Sequence, residues 1–150
     1  MKTVASLLLL FVSFSFASGA DNDRERQEND ACELVFRQHF GKPEWRQVFF
    51  ISIRGKDPSD EFMKRFAEDK TRVYKHSLAI TDSNGTARHK ETRVDGTLLF
   101  VERIEWKSDT ELAVKAGCLN GPRAGTRYTV TLKREGDGWR AVAKKVNGFY

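Results

Sequence analysis

Two cysteines, three prolines and three histidines in 150 residues exclude several kinds of protein. Two thiols cannot build a multi-bridge disulfide scaffold, and neither belongs to a C-x-x-C pair of the kind that holds zinc or runs redox chemistry. No G-x-S-x-G elbow, P-loop, H-E-x-x-H or G-x-G-x-x-G occurs, so acyl transfer by that elbow, nucleotide hydrolysis, thermolysin-like zinc chemistry and dinucleotide binding all lack their signatures. His39, His76 and His89 stand at spacings that no compact metal motif uses, and no metal or cofactor is expected. Beyond the first 20 residues no apolar run approaches the roughly 20 residues that a bilayer requires.

What is present is ordinary globular material, 39% hydrophobic and 11% aromatic, in a length suited to one domain. Lys2 followed by the apolar stretch from Val4 to Ala17 and the small residues Ser18-Gly19-Ala20 reads as a signal peptide over residues 1–20, with Asp21 as the first mature residue. The expected location is therefore secreted or periplasmic, with no membrane span after cleavage. Residues 21–30, DNDRERQEND, form an acidic polar segment carrying minus three, and residues 31–150 form a single domain carrying plus seven. Such an excess can steer an anionic surface or polymer, while export argues against a nucleic-acid partner.

Apolar positions Cys32, Val35, Phe36 and Phe40 recur at helical steps and predict a helix over 24–40, ended by Gly41-Lys42-Pro43. Residues 47–53 predict a buried strand. Asp57-Pro58-Ser59-Asp60 predicts a second helix over 58–69, with Asp57 as its cap and Phe62, Met63 and Phe66 on its apolar face. Strands follow at 73–81, 88–94, 98–107, 111–119, 127–134 and 139–146, separated by turn sequences such as Asp95-Gly96 and Gly136-Asp137-Gly138. Period-two rows such as Leu112, Val114, Ala116 and Cys118 give one apolar face. The fold class expected is α+β, a curved antiparallel sheet of five to six strands packed on two helices.

Export places Cys32 and Cys118 in an oxidising compartment, which predicts a disulfide closing a loop of 86 residues, worth about 4 to 5 kcal/mol by chain entropy, against the alternative of two separate buried thiols. His76, beside Tyr74, is the candidate for a general base in a pocket of the sheet, against the alternative of a partly exposed strand histidine. Arg127, Lys133, Arg140 and Lys144 are candidates for a basic face near Tyr128 and Trp139, against the alternative of the solvated outer face of a sheet. Asn84-Gly85-Thr86 is a glycosylation sequon in a predicted turn.

The blocks ELVFRQHF, FFISIRGKDPSDEFMKRF, IEWKSDTELAV and YTVTLKREGDGW, spread over residues 31–146, resemble a family of small exported bacterial-type proteins of cystatin-like or NTF2-like architecture. The resemblance implies that fold and no assigned activity. The Q-x-V-x-G loop of inhibitory cystatins is missing, which counts against protease inhibition. In a bacterial protein the Asn84 sequon is only a turn.

The reading is an exported, non-enzymatic binding or envelope-associated module. Two rivals stand beside it. One is a small hydrolase or isomerase with a pocket inside the curved sheet, the other an electrostatic binder of an anionic polymer.

Overall fold

The computed structural model describes residues 18–41, 48–83, 86–121 and 124–149. The expected signal peptide falls almost wholly outside these residues, as do Pro43 and the Asn84 sequon.

Ala31, Cys32, Val35 and Phe36 form one buried stripe of helix α1 (Ser18–Arg37). The helix begins ahead of Arg24 and contains all of the acidic segment 21–30. Three of its acids reach other parts of the fold or the helix end: Glu28 pairs with Arg54 at 2.6 Å, Asp30 with Arg65 at 2.7 Å, and Glu33 with Arg65 and Arg37, both at 2.8 Å.

Strand β1 (Val48–Ile53) is buried at every position but its last. A strand covered on both faces reads as a continuous apolar run, the habit of parallel sheets. Its two neighbours are indeed parallel, β2 (Arg72–Lys75) on one side and β5 (Asp95–Ser108) on the other. The crossover from β1 to β2 carries the short helix α2 (Asp60–Lys64). After β2 come a 3-10 turn at His76–Leu78, the small strands β3 (Ala79–Thr81) and β4 (Ala87–His89), and then β5. From β5 the chain runs as an antiparallel meander through β6 (Glu111–Leu119), β7 (Gly125–Glu135) and β8 (Gly138–Phe149). The sheet order is β2-β1-β5-β6-β7-β8, with β4 pairing both β3 and the start of β5.

This corrects the expected fold class. The described residues form a mixed sheet of eight strands with only two α-helices, one of them five residues long, and not a curved antiparallel sheet of five to six strands, cystatin-like or NTF2-like, packed on two helices. The parallel pairings of β1 make the difference. The second helix also stops early: Arg65, Phe66 and Ala67 donate to carbonyls three residues back, tightening the chain into 3-10-like turns. Its cap is Ser59, whose Oγ accepts from the Phe62 amide at 3.1 Å, and not Asp57, which instead accepts from the Ser77 amide at 2.9 Å and anchors the 3-10 turn.

The core lies between α1, α2 and the inner face of the sheet, where Phe49, Ile51, Leu99, Val101, Leu112, Val114, Val130 and Leu132 point. Five phenylalanines close one end of it. Phe40 stacks on Phe49 with centroids 5.2 Å apart, and Phe66 stands edge-on to Phe40 at 5.8 Å and to Phe62 at 5.5 Å, while Phe62 meets Phe36 at 6.3 Å. A smaller cluster on the opposite face packs Val48, Phe50, Ala87 and Leu98 with Tyr74.

The expected Cys32–Cys118 bridge is absent: both thiols are free, buried and beyond disulfide distance. Cys118 shares a neighbourhood with Tyr128, which touches His39 beyond the end of α1, whereas Cys32 lies within α1 beside Glu28 and Arg54. Burial is what both cysteines provide.

Candidate functional site

The outer face of the sheet, away from α1, carries a hollow of about 280 Å³ where β1, β5 and β6 meet. Its origin is local. Phe100 on β5, Gly117 on β6 and Arg127 on β7 lie in one row across the sheet. A Cβ on Gly117 would sit 2.4 Å from the Phe100 ring and 2.7 Å from the Thr126 carbonyl oxygen, so the bare glycine lets that ring lie across the strand. Glu102 has no partner residue on β6, because the register jumps from Val101 to Arg103. Such a bulge re-aims a side chain, and Glu102 meets Arg127 there at 3.0 Å. Leu98, Phe100 and Leu119 supply an apolar floor, while Ser52, His76 and the Glu102–Arg127 pair stand around it. The arrangement can receive an apolar group and orient a polar end against a hydroxyl, an imidazole or an ion pair.

The structure thus places His76 at the rim of this hollow, exposed at the start of the 3-10 turn. Tyr74 is not beside it in the hollow. Its ring stacks on Phe50 at 5.9 Å and stands edge-on to His89 at 4.7 Å. His89 is buried, and its Nδ1 accepts from the amides of Glu91 and Thr92 at 3.3 and 3.4 Å. Ser52, His76 and Glu102 are the residue types of a nucleophile, base and orienter, yet among the described residues no hydrogen bond links His76 to either of the others.

Three of the four basic candidates share the outer face, where Lys133 stands directly opposite Arg140 on the neighbouring strand. Arg127, Lys133 and Arg140 face outward, each beside a carboxylate: Glu102 at 3.0 Å, Glu111 at 3.7 Å and Glu135 at 2.9 Å. Lys144 turns to the inner face, its ammonium 4.0 Å from the centroid of the Tyr128 ring. Further along the outer face Glu105 gathers Arg103, Lys107 and Lys115 within 3.2 Å, and hydrogen bonds from Lys107 and Lys115 hold its carboxyl down to about 2.

One pairing was invisible in the sequence. His39, just past α1, meets the hydroxyl of buried Tyr128 at 2.5 Å, although the two are 89 residues apart. Burial, and then the Lys144 charge, lowers the His39 imidazole to about 4. Burial likewise raises the Tyr128 phenol. Only the fold brings these residues together, and no local signal announces them.

A wider cleft of about 580 Å³ lies between the first half of α1 and the loop from Arg54 to Ser59. Its central charges, Glu28 and Arg54, dock the helix. Glu28 accepts from Arg54 at 2.6 Å and from the Trp106 indole at 2.9 Å, and the Arg24 guanidinium lies 5.0 Å from the Trp106 ring. Arg54 holds a left-handed φ of 53°, next to Gly55 at 73°, in the turn that aims it at Glu28. Burial pushes the Cys32 thiol at the cleft up to about 12, so it stays protonated and is a poor nucleophile. Among the described residues no three His, Cys, Asp or Glu side chains are grouped to hold a metal ion.

No family model, curated protein or solved structure matches this chain.

Proposed function

We propose that the protein is an exported, non-enzymatic binding module that takes an apolar group into the outer-face hollow. The observation that carries this reading is the contrast between the two faces of the sheet. The inner face is filled by the rings of Phe36, Phe40, Phe62 and Phe66, while the outer face opens an apolar hollow with Ser52, His76 and a Glu102–Arg127 pair at its margin. A recognition site needs an apolar floor and a few fixed polar groups, whereas a hydrolase needs its base and nucleophile in contact in some state of the site. Export rests on the Lys2 and Val4–Ala17 pattern of the sequence. The pairing of Arg127, Lys133 and Arg140 with carboxylates weighs against the rival of an anionic-polymer binder.

The test is a titration of the folded protein with anilinonaphthalene sulfonate, an apolar probe that fluoresces when shielded from water. Saturable binding is expected, lost in Leu119→Asn, which sets an amide in the floor, and kept in Val94→Asn, an exposed position outside the hollow. Equal binding by wild type and Leu119→Asn, or no saturable binding by the wild type, overturns the assignment.

A further inference from the structure

Independently of the hollow, we propose that strand β8 is a docking edge for an acidic, extended segment of a partner protein, which adds to the sheet as a further strand.

The two ends of the sheet are unlike. One ends in β2, four residues long; the other ends in β8, twelve residues long, about 40 Å of extended chain. β8 pairs with β7 along one flank, and among the described residues no strand covers the other. A free flank presents a row of amide donors and carbonyl acceptors ready for another extended chain. Side chains along β8 are exposed apart from half-buried Trp139, and three of the exposed ones are large and apolar: Val142, Val146 and, at 81% exposure, Phe149.

Charge selects the occupant. β8 carries Arg140, Lys144 and Lys145 and no acid, and Lys145 has no carboxylate partner among the described residues. Arg140 is neutralised by Glu135, but a second copy pairing β8 against β8 would still gather four lysines into one two-stranded ribbon with strands about 5 Å apart, and like charges across a strand pair repel. The register jumps that leave Val142 and Asn147 unmatched with β7 also bend the edge, and bulges and lysines are devices that keep like edges apart. An acidic strand meets the same lysines as counter-ions, and residues 143–146 give it a regular stretch to pair with. The acidic part of this chain is not that strand. Residues 21–30 are helical within α1, with Glu28 and Asp30 held in ion pairs.

The experiment uses a blocked peptide of alternating Glu and Thr long enough to span residues 143–149. A second peptide of the same sequence is N-methylated at every other residue so that the pairing flank has no donors. Binding to the full chain at low salt is followed through the β8 amides by NMR shifts and hydrogen exchange. The parent peptide is expected to bind saturably and protect amides of β8. N-methylation should weaken it on the order of tenfold or more, and Lys145→Glu, at an exposed position, severalfold. Three results overturn the proposal: binding indifferent to N-methylation, protection confined to other strands, or no saturable binding up to millimolar peptide. So does a concentration-dependent dimer that protects β8 amides without peptide, since the occupant would then be a second copy.

Discussion

The two faces of one sheet do different work. On the inner face Val130 and Leu132 of β7 are wholly buried beneath α1, while Lys133, the next residue along, stands in water beside Glu111. Apolar area removed from water contributes roughly 25 cal/mol per Å², whereas an exposed ion pair contributes between nothing and about 1 kcal/mol. The inner face therefore holds the fold together. Away from the buried cluster around Phe50, the outer face, rich in ion pairs and opened by the Gly117–Phe100 hollow, adds little to stability and is free to recognise something. A binding surface can change on such a scaffold without unfolding it.

The strongest way to break this comparison is to hollow out the inner face. Phe62 is 3% exposed and touches Phe36 and Phe66 edge-on. Phe62→Ala removes its ring from a packed site where α2, anchored by the Ser59 cap, has little freedom to collapse inward. The expected cost is about 3 to 5 kcal/mol, read from the midpoint of urea unfolding. A folded variant of unchanged midpoint would mean that these rings line open space, and the inner face would then become the place to seek a ligand.

Acid sharpens the comparison, because it acts on one inner-face group. His39 is lowered from 6.5 to about 4 by burial and by Lys144, so the folded state favours the neutral imidazole that meets the Tyr128 hydroxyl. Between those two pH values the unfolded chain binds the proton more readily, and stability falls as pH drops from 6.5 to 4. Discounted for the partial exposure of His39, the loss attributable to it is about 2 kcal/mol. Carboxylates lose their pairings in part of the same range, so the measurement is a difference. His39→Gln, which keeps a polar group near Tyr128, should lose less stability across that window than the wild type. Equal losses would show that the imidazole is solvated and plays no part.

Much of the outer half of the sheet was legible in the sequence, because β6 alternates Leu112, Val114, Ala116 and Cys118 toward the helices, and the turns on either side of β7 and β8 are marked by glycine. The parallel half was harder. β1 is apolar but for Ser52, and such a run specifies burial on both faces without naming the neighbours. Residues 73–81 read as one strand, but the chain turns at His76–Leu78, where no glycine or proline gives notice. Cys32 and Cys118 each follow an apolar period, and period says nothing of how far along the helix a residue lies from a given strand. The candidate site was legible only as single residues. His76 and Arg127 were visible as types, whereas the glycine that seats Phe100 and the bulge that aims Glu102 depend on register, which one-dimensional pattern does not carry.

The smallest expected effect lies one residue from one of the most buried. Lys133 Nζ sits 3.7 Å from Glu111 Oε2, with side chains 58% and 35% exposed, so water screens the pair and both side chains keep much of their freedom. Lys133→Ala is expected to move the unfolding free energy by less than about 0.5 kcal/mol, and added salt should shrink even that. The comparison partner is Leu132, which has no exposure and lies on the opposite face of the same strand. If Lys133→Ala instead cost more than about 1 kcal/mol at high salt, the aliphatic stem of the lysine would be covering apolar surface that water otherwise reaches. The outer face would then be part of the packed structure, and the freedom assigned to it as a recognition surface would have to shrink to the hollow around Phe100.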